Sequence, residues 1–326
     1  MNWEEAAKLV RQTRKPVITT HEMPDGDAIG AEVGLAEGLR SIGLDPIILN
    51  SHPLSPSNEF LQSDGEPLVF DPAHHTELLN AADLFIMVDA NFWDRAGTVG
   101  EAMAALNKPS LCIDHHFPAA ECATINCATI EASSASELIH YFCEHLGAER
   151  TARSREAIYT GLLFDTGNFR FSNTSHRVHE IAATLIEEGI VAEHMYQKVF
   201  EHGTLERMKL FGLALSTLQS ACDGRLVWFL VKNEMFAESG GAPTDVEGFV
   251  DMVRTIHDSR MVIMFRDTPD GIVKASLRSK TNDIDVQALA GKFGGGGHKR
   301  ASGVTLQPPI EQAVEAVVAE AEKLLD

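Results

Sequence analysis

The chain has 326 residues, with 27 Lys plus Arg against 47 Asp plus Glu and a formal net charge of −20. That length exceeds one ordinary hydrophobic core and predicts two domains, while a hydrophobic fraction of 44% beside 23% charged residues excludes wholesale disorder. So acidic a protein is ill suited to gripping a long nucleic-acid backbone with many lysines and arginines, and no apolar run approaches the ~20 residues that span a bilayer.

Taken in chain order, the opening MNWEEAAKLVRQ predicts an amphipathic helix without the apolar centre of a signal peptide, so a cytoplasmic protein is expected. PVITT (16–20), DPIILN (45–50), DLFIMVD (83–89) and PSLCID (109–114) predict buried strands. Between them lie helical patterns such as AIGAEVGLAEGLRSIG (28–43), which closes on Gly43. Strand–helix alternation predicts an open parallel sheet covered on both faces, with ligands at the carboxyl ends of its strands. ASSASELIHYFCEHLG (132–147) predicts a further helix, with Ser134 and Glu137 spaced as a capping box.

From 187 to 219 the pattern is helical, and LERMKLFGLALSTLQ reads as one amphipathic connector. Beyond it GRLVWFLV (224–231), RMVIMFRD (260–267) and GIVKASLRS (271–279) predict strands, the last two joined by the turn TPDG. DIDVQALAGKF (283–293) predicts a short helix, GGGGH (294–298) a loop, and about 310–325 a final helix. The expected organisation is therefore α/β throughout: a parallel-sheet domain over 1–188, a helical connector over 189–219 and a smaller mixed domain over 220–326. Charge divides along the same lines. Residues 1–219 hold 15 basic and 31 acidic residues, residues 220–326 hold 12 and 16, and Arg278 to Arg300 holds five basic and two acidic. One part can take cations and the other can receive an anion. The five cysteines form an odd set with no CxxC, so neither a disulfide framework nor a thiolate zinc site is expected, and they read as small buried hydrophobes.

Chemistry-bearing residues stand at the ends of three successive apolar strands. VITT runs into His21, Asp25 and Asp27; LFIMV runs into Asp89; PSLCI runs into Asp114, His115 and His116. A fourth carboxylate, Asp165, sits in YTGLLFDTGNFRF. Any one of these Asp residues could simply cap a helix, and Asp27 is placed to cap 28–43. Together they form a crowd of acids that two divalent cations would balance. Oxygens and imidazoles without sulfur suit manganese or magnesium better than structural zinc. GGGGHKRASG (294–303) offers backbone N–H groups to an anion, with His298, Lys299 and Arg300 beside them and Arg278 on the strand leading toward it.

HEMPDGDAIG, FIMVDAN, CIDHHFP and YTGLLFDTGNFRFSNTS resemble the four motifs of the DHH phosphoesterases, in order, and GGGGHKRASG resembles the GGGHxxAxG signature of the DHHA1 domain. The resemblance covers essentially the whole chain and is greatest to the bacterial nanoRNases with pAp phosphatase activity. It implies that His21, Asp25 and Asp89 hold one metal ion, and that Asp27, Asp89, His115 and Asp165 hold a second, with Asp89 shared. Mn2+ is the implied ion, with Mg2+ or Co2+ as substitutes. His116 would contact the scissile phosphate and Asp114 would orient the histidine pair. Arg278, Gly296, Gly297 and His298 would bind the far end of the substrate, and Arg170 and Asn173 would line the cleft. The implied activity is hydrolysis of short oligonucleotides and pAp, without long duplex partners or a membrane, in a chain expected to form a homodimer. A cyclic-dinucleotide phosphodiesterase acting on cyclic di-AMP or pApA is the alternative. A processive RecJ-type nuclease would need extra nucleic-acid-binding modules, and a type II pyrophosphatase would not need the GGGGH segment.

Overall fold

The computed structural model describes residues 1–63, 65–116, 122–268, 270–281 and 283–325. Phe117 and Pro118 of the CIDHHFP motif and Pro269 of the TPDG turn lie outside the described residues. The chain divides into two compact units, Met1–His202 and Gly203–Asp326.

Among the described residues of the first unit are the strands β1 (Pro16–Thr19), β2 (Ile47–Asn50), β3 (Leu68–Val69), β4 (Leu84–Val88), β5 (Ser110–Asp114) and β6 (Ile125–Ala128). They form one sheet in the order β3-β2-β1-β4-β5-β6 with every neighbouring pair parallel. Helices α1 (Trp3–Arg11), α2 (Gly26–Ser41), α3 (Pro72–Ala81), α4 (Gly97–Leu106), α5 (Ala135–Leu146), α6 (Ala152–Asp165), α7 (His176–Glu187) and α8 (Ala192–Phe200) accompany it. The strands read as unbroken apolar runs because both faces are covered. Ile18, Ile48, Ile86 and Ile113 pack with α1, α2 and α5 on one face, and Val17, Leu49 and Phe85 pack with α3 and α4 on the other. From β1 the chain moves outward through β2 and β3, then returns to place β4 on the other side of β1. The β1/β4 boundary is therefore the switch point, where connections leave in opposite directions and open a crevice at the carboxyl ends.

The second unit carries α9 (Leu205–Leu215), β7 (Gln219–Ala221), β8 (Leu226–Val231), α10 (Asn233–Ser239), α11 (Phe249–Val253), β9 (Met261–Asp267), β10 (Val273–Ser279), α12 (Val286–Gly291), β11 (Gly296–His298), β12 (Ala301–Leu306) and α13 (Ile310–Glu322). Its sheet runs β11-β12-β10-β9-β8-β7 and is mixed, with β8–β9 parallel and the other pairs antiparallel. Along β10 the alternation is clean: Val273, Ala275, Leu277 and Ser279 are buried, while Lys274, Ser276 and Arg278 face the other way, exposed or half-buried.

Three expectations are corrected. Residues 189–219 are not one connector: α8 packs Met195 and Val199 into the first unit, and α9 packs Leu210 and Ala214 beneath the second sheet. The division falls at Glu201–Thr204, where Gly203 and the cap residue Thr204 interrupt the helical pattern. GGGGH is not a loop throughout, because Gly296–His298 is an edge strand paired to β12. The glycines are required there by close approach: a Cβ on Gly295 would lie 2.3 Å from the Gly303 carbonyl, and one on Gly297, at φ +135°, 2.6 Å from that of Ala301. The helix expected at 28–43 starts at Gly26, capped by Asp25 instead of Asp27. Among the described residues no helix is long and apolar enough to cross a membrane.

Helices α2 and α6 meet through glycine. A Cβ on Gly30 would sit 2.5 Å from the Ala157 carbonyl, and one on Gly161 would sit 1.9 Å from Ser136 Oγ and 2.4 Å from Asp27 Oδ1. Gly161→Ala is expected to cost about 1–3 kcal/mol through overpacking and to weaken divalent-metal binding by displacing Asp27. Thermal unfolding and a metal titration of the variant check this; wild-type values in both would contradict the close packing.

Candidate active site

The first unit brings the predicted acids and imidazoles of its crevice together. His21 follows β1, Asp89 follows β4, Asp114 ends β5 with His115 and His116 behind it, and Asp165 ends α6. His115 Nε2 stands 3.2 Å from Asp89 Oδ1, 3.2 Å from Asp165 Oδ2 and 3.8 Å from Asp27 Oδ2. His21 Nε2 lies 3.4 Å from Asp89 Oδ2. Potential ligand atoms of His21, Asp25 and Asp89 lie within 4.8 Å of one another, as do those of Asp27, His115 and Asp165, and those of Asp89, His115 and His116. Asp114 does not join these groups. Its carboxylate takes the His116 backbone N–H at 3.1 Å and contacts His116 Nδ1 at 2.8 Å, fixing the ring.

Local backbone physics holds the acids in place. Asp25 is the N-cap of α2, accepting from the N–H groups of Asp27 and Ala28. Asp27 is fully buried and accepts from the N–H groups of Ala135 and Ser136 at 2.6 and 3.0 Å, so it caps the start of α5 from another helix. The expected capping box on α5 is shifted: Ser134 Oγ accepts from the Glu137 N–H, but the Glu137 carboxylate takes the N–H of Ser133. Asp89 adopts φ +54°, a left-handed conformation that is rare outside glycine and tolerated by Asp and Asn.

Burial makes this cluster costly to ionise. Burial and then the Asp89 charge push Asp27 up to about 7, and burial raises Asp25 and lifts Asp165 well above the usual carboxylate range. Asp89 moves the other way: burial opposes its charge, but His115 and His21 together hold it below that range. Burial disfavours protonated His115, yet Asp89, Asp27 and Asp165 outweigh it and push its pKa up to about 10. Asp89 Oδ1 is buried and faces the ring nitrogens of His115 and His116 at 3.2 and 3.5 Å, without well-formed hydrogen-bond geometry to a described residue. Oxygens and imidazoles around an unsatisfied buried carboxylate fit hard divalent cations, which would replace the protons now balancing the charge.

The remaining predicted residues lie elsewhere. Arg278, on β10, and His298, on β11, both stand opposite Ala301 of β12, so they share one row and one face of the second sheet. Arg278 Nε lies 3.4 Å from Asp251 Oδ2. Gly296, Gly297 and His298 are exposed. Arg300 is committed to the carbonyls of Ser279 and Lys280. Arg170 donates from Nε to the Gly167 carbonyl, and Asn173 donates to the carbonyls of Ser133 and Asp165, which braces the segment bearing Asp165.

One buried acid escaped the sequence reading. Glu32 on α2 is 0% exposed; one oxygen accepts from Asn50 Nδ2 at 2.8 Å, the other has no partner among the described residues, and burial lifts its pKa well above the ordinary value. The available signal was GAEVGLAEG itself, a helix without a continuous polar face.

A doubly wound parallel sheet with acids and imidazoles at its switch point, followed by a mixed domain that contains a glycine-rich hairpin, defines a class of metal-dependent phosphoesterases. Residues 15–164 match the DHH family, N-terminal domain, and residues 225–326 match the DHHA1 domain. The chain belongs to the DHH/DHHA1 phosphoesterases and is a hydrolase; phosphoesterases of this family use divalent metal ions. Its relatives include the bifunctional oligoribonuclease and PAP phosphatase NrnA of Thermus thermophilus, 30% identical over 97% of this chain and 93% of the relative. NrnA of Bacillus subtilis is 27% identical over 89% of this chain and 88% of its own. The crystal structure of an exopolyphosphatase-related protein from Bacteroides fragilis aligns with a TM-score of 0.91 at 27% identity, over 99% of this chain and 96% of that one.

Ligands must shed protons before they take a cation, and His115 at about 10 and Asp27 at about 7 both retain protons near neutrality. Divalent-cation binding at pH 7 should therefore release protons, and its apparent affinity should fall as pH drops from about 8 to about 6, since protons compete with the cation for both groups. Calorimetric titrations in buffers of different ionisation enthalpy read both. Proton-neutral, pH-independent binding would place the ions outside this cluster.

Proposed function

We propose that this chain is a two-metal, manganese-dependent phosphoesterase that hydrolyses short oligonucleotides, dinucleotides and pAp to mononucleotides. The observation that carries the reading is the convergence of Asp25, Asp27, Asp89 and Asp165 with His21 and His115 at one sheet edge. The substrate class is supported by likeness to proteins named oligoribonuclease and PAP phosphatase along nearly the full chain. His21, Asp25 and Asp89 would hold one ion, and Asp27, Asp89, His115 and Asp165 would hold the other, with Asp89 common to both sets. When bound, the ions supply Lewis acidity toward a phosphoryl oxygen and lower the pKa of water.

The protein's own groups do the rest. Asp114 fixes His116 through Nδ1 and leaves Nε2 for a phosphoryl oxygen, where it offsets negative charge as the leaving oxygen departs in line. Arg278, Gly296, Gly297 and His298 take the terminal phosphate or end nucleotide of the substrate. Recognition of an end favours short molecules, and the excess of acid over base in residues 1–219 repels a strand that continues past the site.

A manganese-supplemented digest of labelled dinucleotides, pAp, cyclic di-AMP and a longer RNA, run side by side, tests the reading. Linear dinucleotides and pAp should be consumed first. Ring opening faster than pApA cleavage would reassign the enzyme to cyclic dinucleotides, and no turnover of any of the four would refute the proposal.

Asp89→Asn keeps a residue suited to the left-handed backbone but removes the shared charge. Its kcat should fall about 10²–10³-fold, the range for losing one preorganised electrostatic group, with an unchanged circular dichroism spectrum. Full activity in that variant is incompatible with a shared carboxylate.

A further inference from the structure

The rim of the acidic cluster carries an arginine to which none of these roles has been given. Arg95 lies in the short 3-10 turn Trp93–Ala96 that follows β4 and Asp89. Its carbonyl accepts the backbone N–H of Glu22 at 2.6 Å, which ties the turn to the residue next to His21. The turn is held independently on its other sides. Ser51 Oγ donates to the Ala96 carbonyl at 2.6 Å and accepts from the Val99 N–H, and Trp93 Nε1 donates to the Cys122 carbonyl at 2.7 Å. Gly97 follows at φ +64°, where a Cβ would come 2.9 Å from Ser51 Oγ and 3.1 Å from Glu22 Cγ.

The side chain on this rigid turn is exposed. Among the described residues no carboxylate lies within ion-pair distance of its guanidinium, whereas Arg40, Arg150, Arg153 and Arg177 of the same unit each have one. An exposed guanidinium with no carboxylate partner among the described residues, on a turn held against the loop that carries cation ligands, is matched by an anion that also contacts the cations, and a phosphoryl group presents two or three oxygens in the geometry of the arginine fork.

We infer that Arg95 is a substrate-binding residue that grips non-bridging oxygens of the phosphoryl group under attack, from the His21 side of the site. The inference rests on the phosphoesterase reading above. Arg95 contributes charge and a two-point grip, so it acts on any substrate whatever its base or length.

The test uses the manganese-loaded protein with Arg95→Ala and Arg95→Lys, measuring kcat/KM on pApA, the affinity for inorganic phosphate by calorimetry, and the affinity for manganese. Arg95→Ala should lower kcat/KM by about 10–100-fold, in line with loss of charge-assisted hydrogen bonds, and weaken phosphate binding about tenfold or more. Manganese affinity should stay at the wild-type value. Arg95→Lys should recover part of both losses, because it restores the charge without the fork. Wild-type phosphate affinity in Arg95→Ala overturns the inference, as does a loss confined to manganese binding, which marks a structural role for the turn. Phosphate binding is read without turnover. A wild type that cleaves none of the nucleotides would thus count against the proposed function, while the phosphate measurement still decides the role of Arg95.

Discussion

Asp25, Asp27, Asp89 and Asp165 are gathered at the carboxyl edge of a parallel sheet, where burial and mutual repulsion make each negative charge expensive. Without cations, protons and imidazoles share the balancing. Asp89 stays ionised because His21 and His115 face it, while its charge helps push Asp27 upward. The cluster is thus a proton-filled site whose acids become fully available only when something more highly charged displaces the protons. That exchange links the buried edge of the sheet to a metal-dependent reaction.

Holding like charges together needs a scaffold that does not relax, and the first unit supplies it mostly through backbone. The N–H groups that open α5 bind Asp27, and those that open α2 bind Asp25. Gly30 and Gly161 let α2 and α6 approach until a methyl group would not fit, which brings Asp27 and Asp165 to one place. The left-handed turn at Asp89 adds backbone strain at the residue shared between groups. Each device fixes a carboxylate by a contact that does not itself consume a metal-facing imidazole.

Much of this was legible in the sequence because it depends on local pattern. Apolar runs ending in Asp or His announce a buried parallel strand and the polar group at its tip, and β1, β4 and β5 follow that rule. Short edge elements were not legible: β3 has two residues and β11 is Gly-Gly-His, so neither carries the apolar alternation that marks a strand. Local spacing allows Asp27 to cap its own helix, whereas it caps α5, more than a hundred residues away; no local spacing encodes that. Glu32 and Arg95 were missed for opposite reasons. The first is a charge-bearing residue hidden by tertiary packing, and the second is an ordinary surface arginine until the fold sets its turn against the loop after β1.

The distribution of positive charge completes the logic. Residues 1–219 hold about twice as many acids as bases, and Arg40, Arg150, Arg153 and Arg177 of the first unit are engaged by carboxylates. On the proposed function, an anionic substrate is repelled by the general excess of acid and attracted where cations would be held at the cluster and where Arg95, which has no carboxylate partner among the described residues, stands beside it. Screening shortens the reach of the general repulsion to about 8 Å at physiological ionic strength, so the discrimination operates at contact distance. A phosphate that reaches the crevice meets attraction focused on one point, and a chain of phosphates meets that point plus the repulsion of the surface beyond it. On the proposed function, a preference for small phosphate esters then follows from the position of positive charge at the cluster, before any base is recognised.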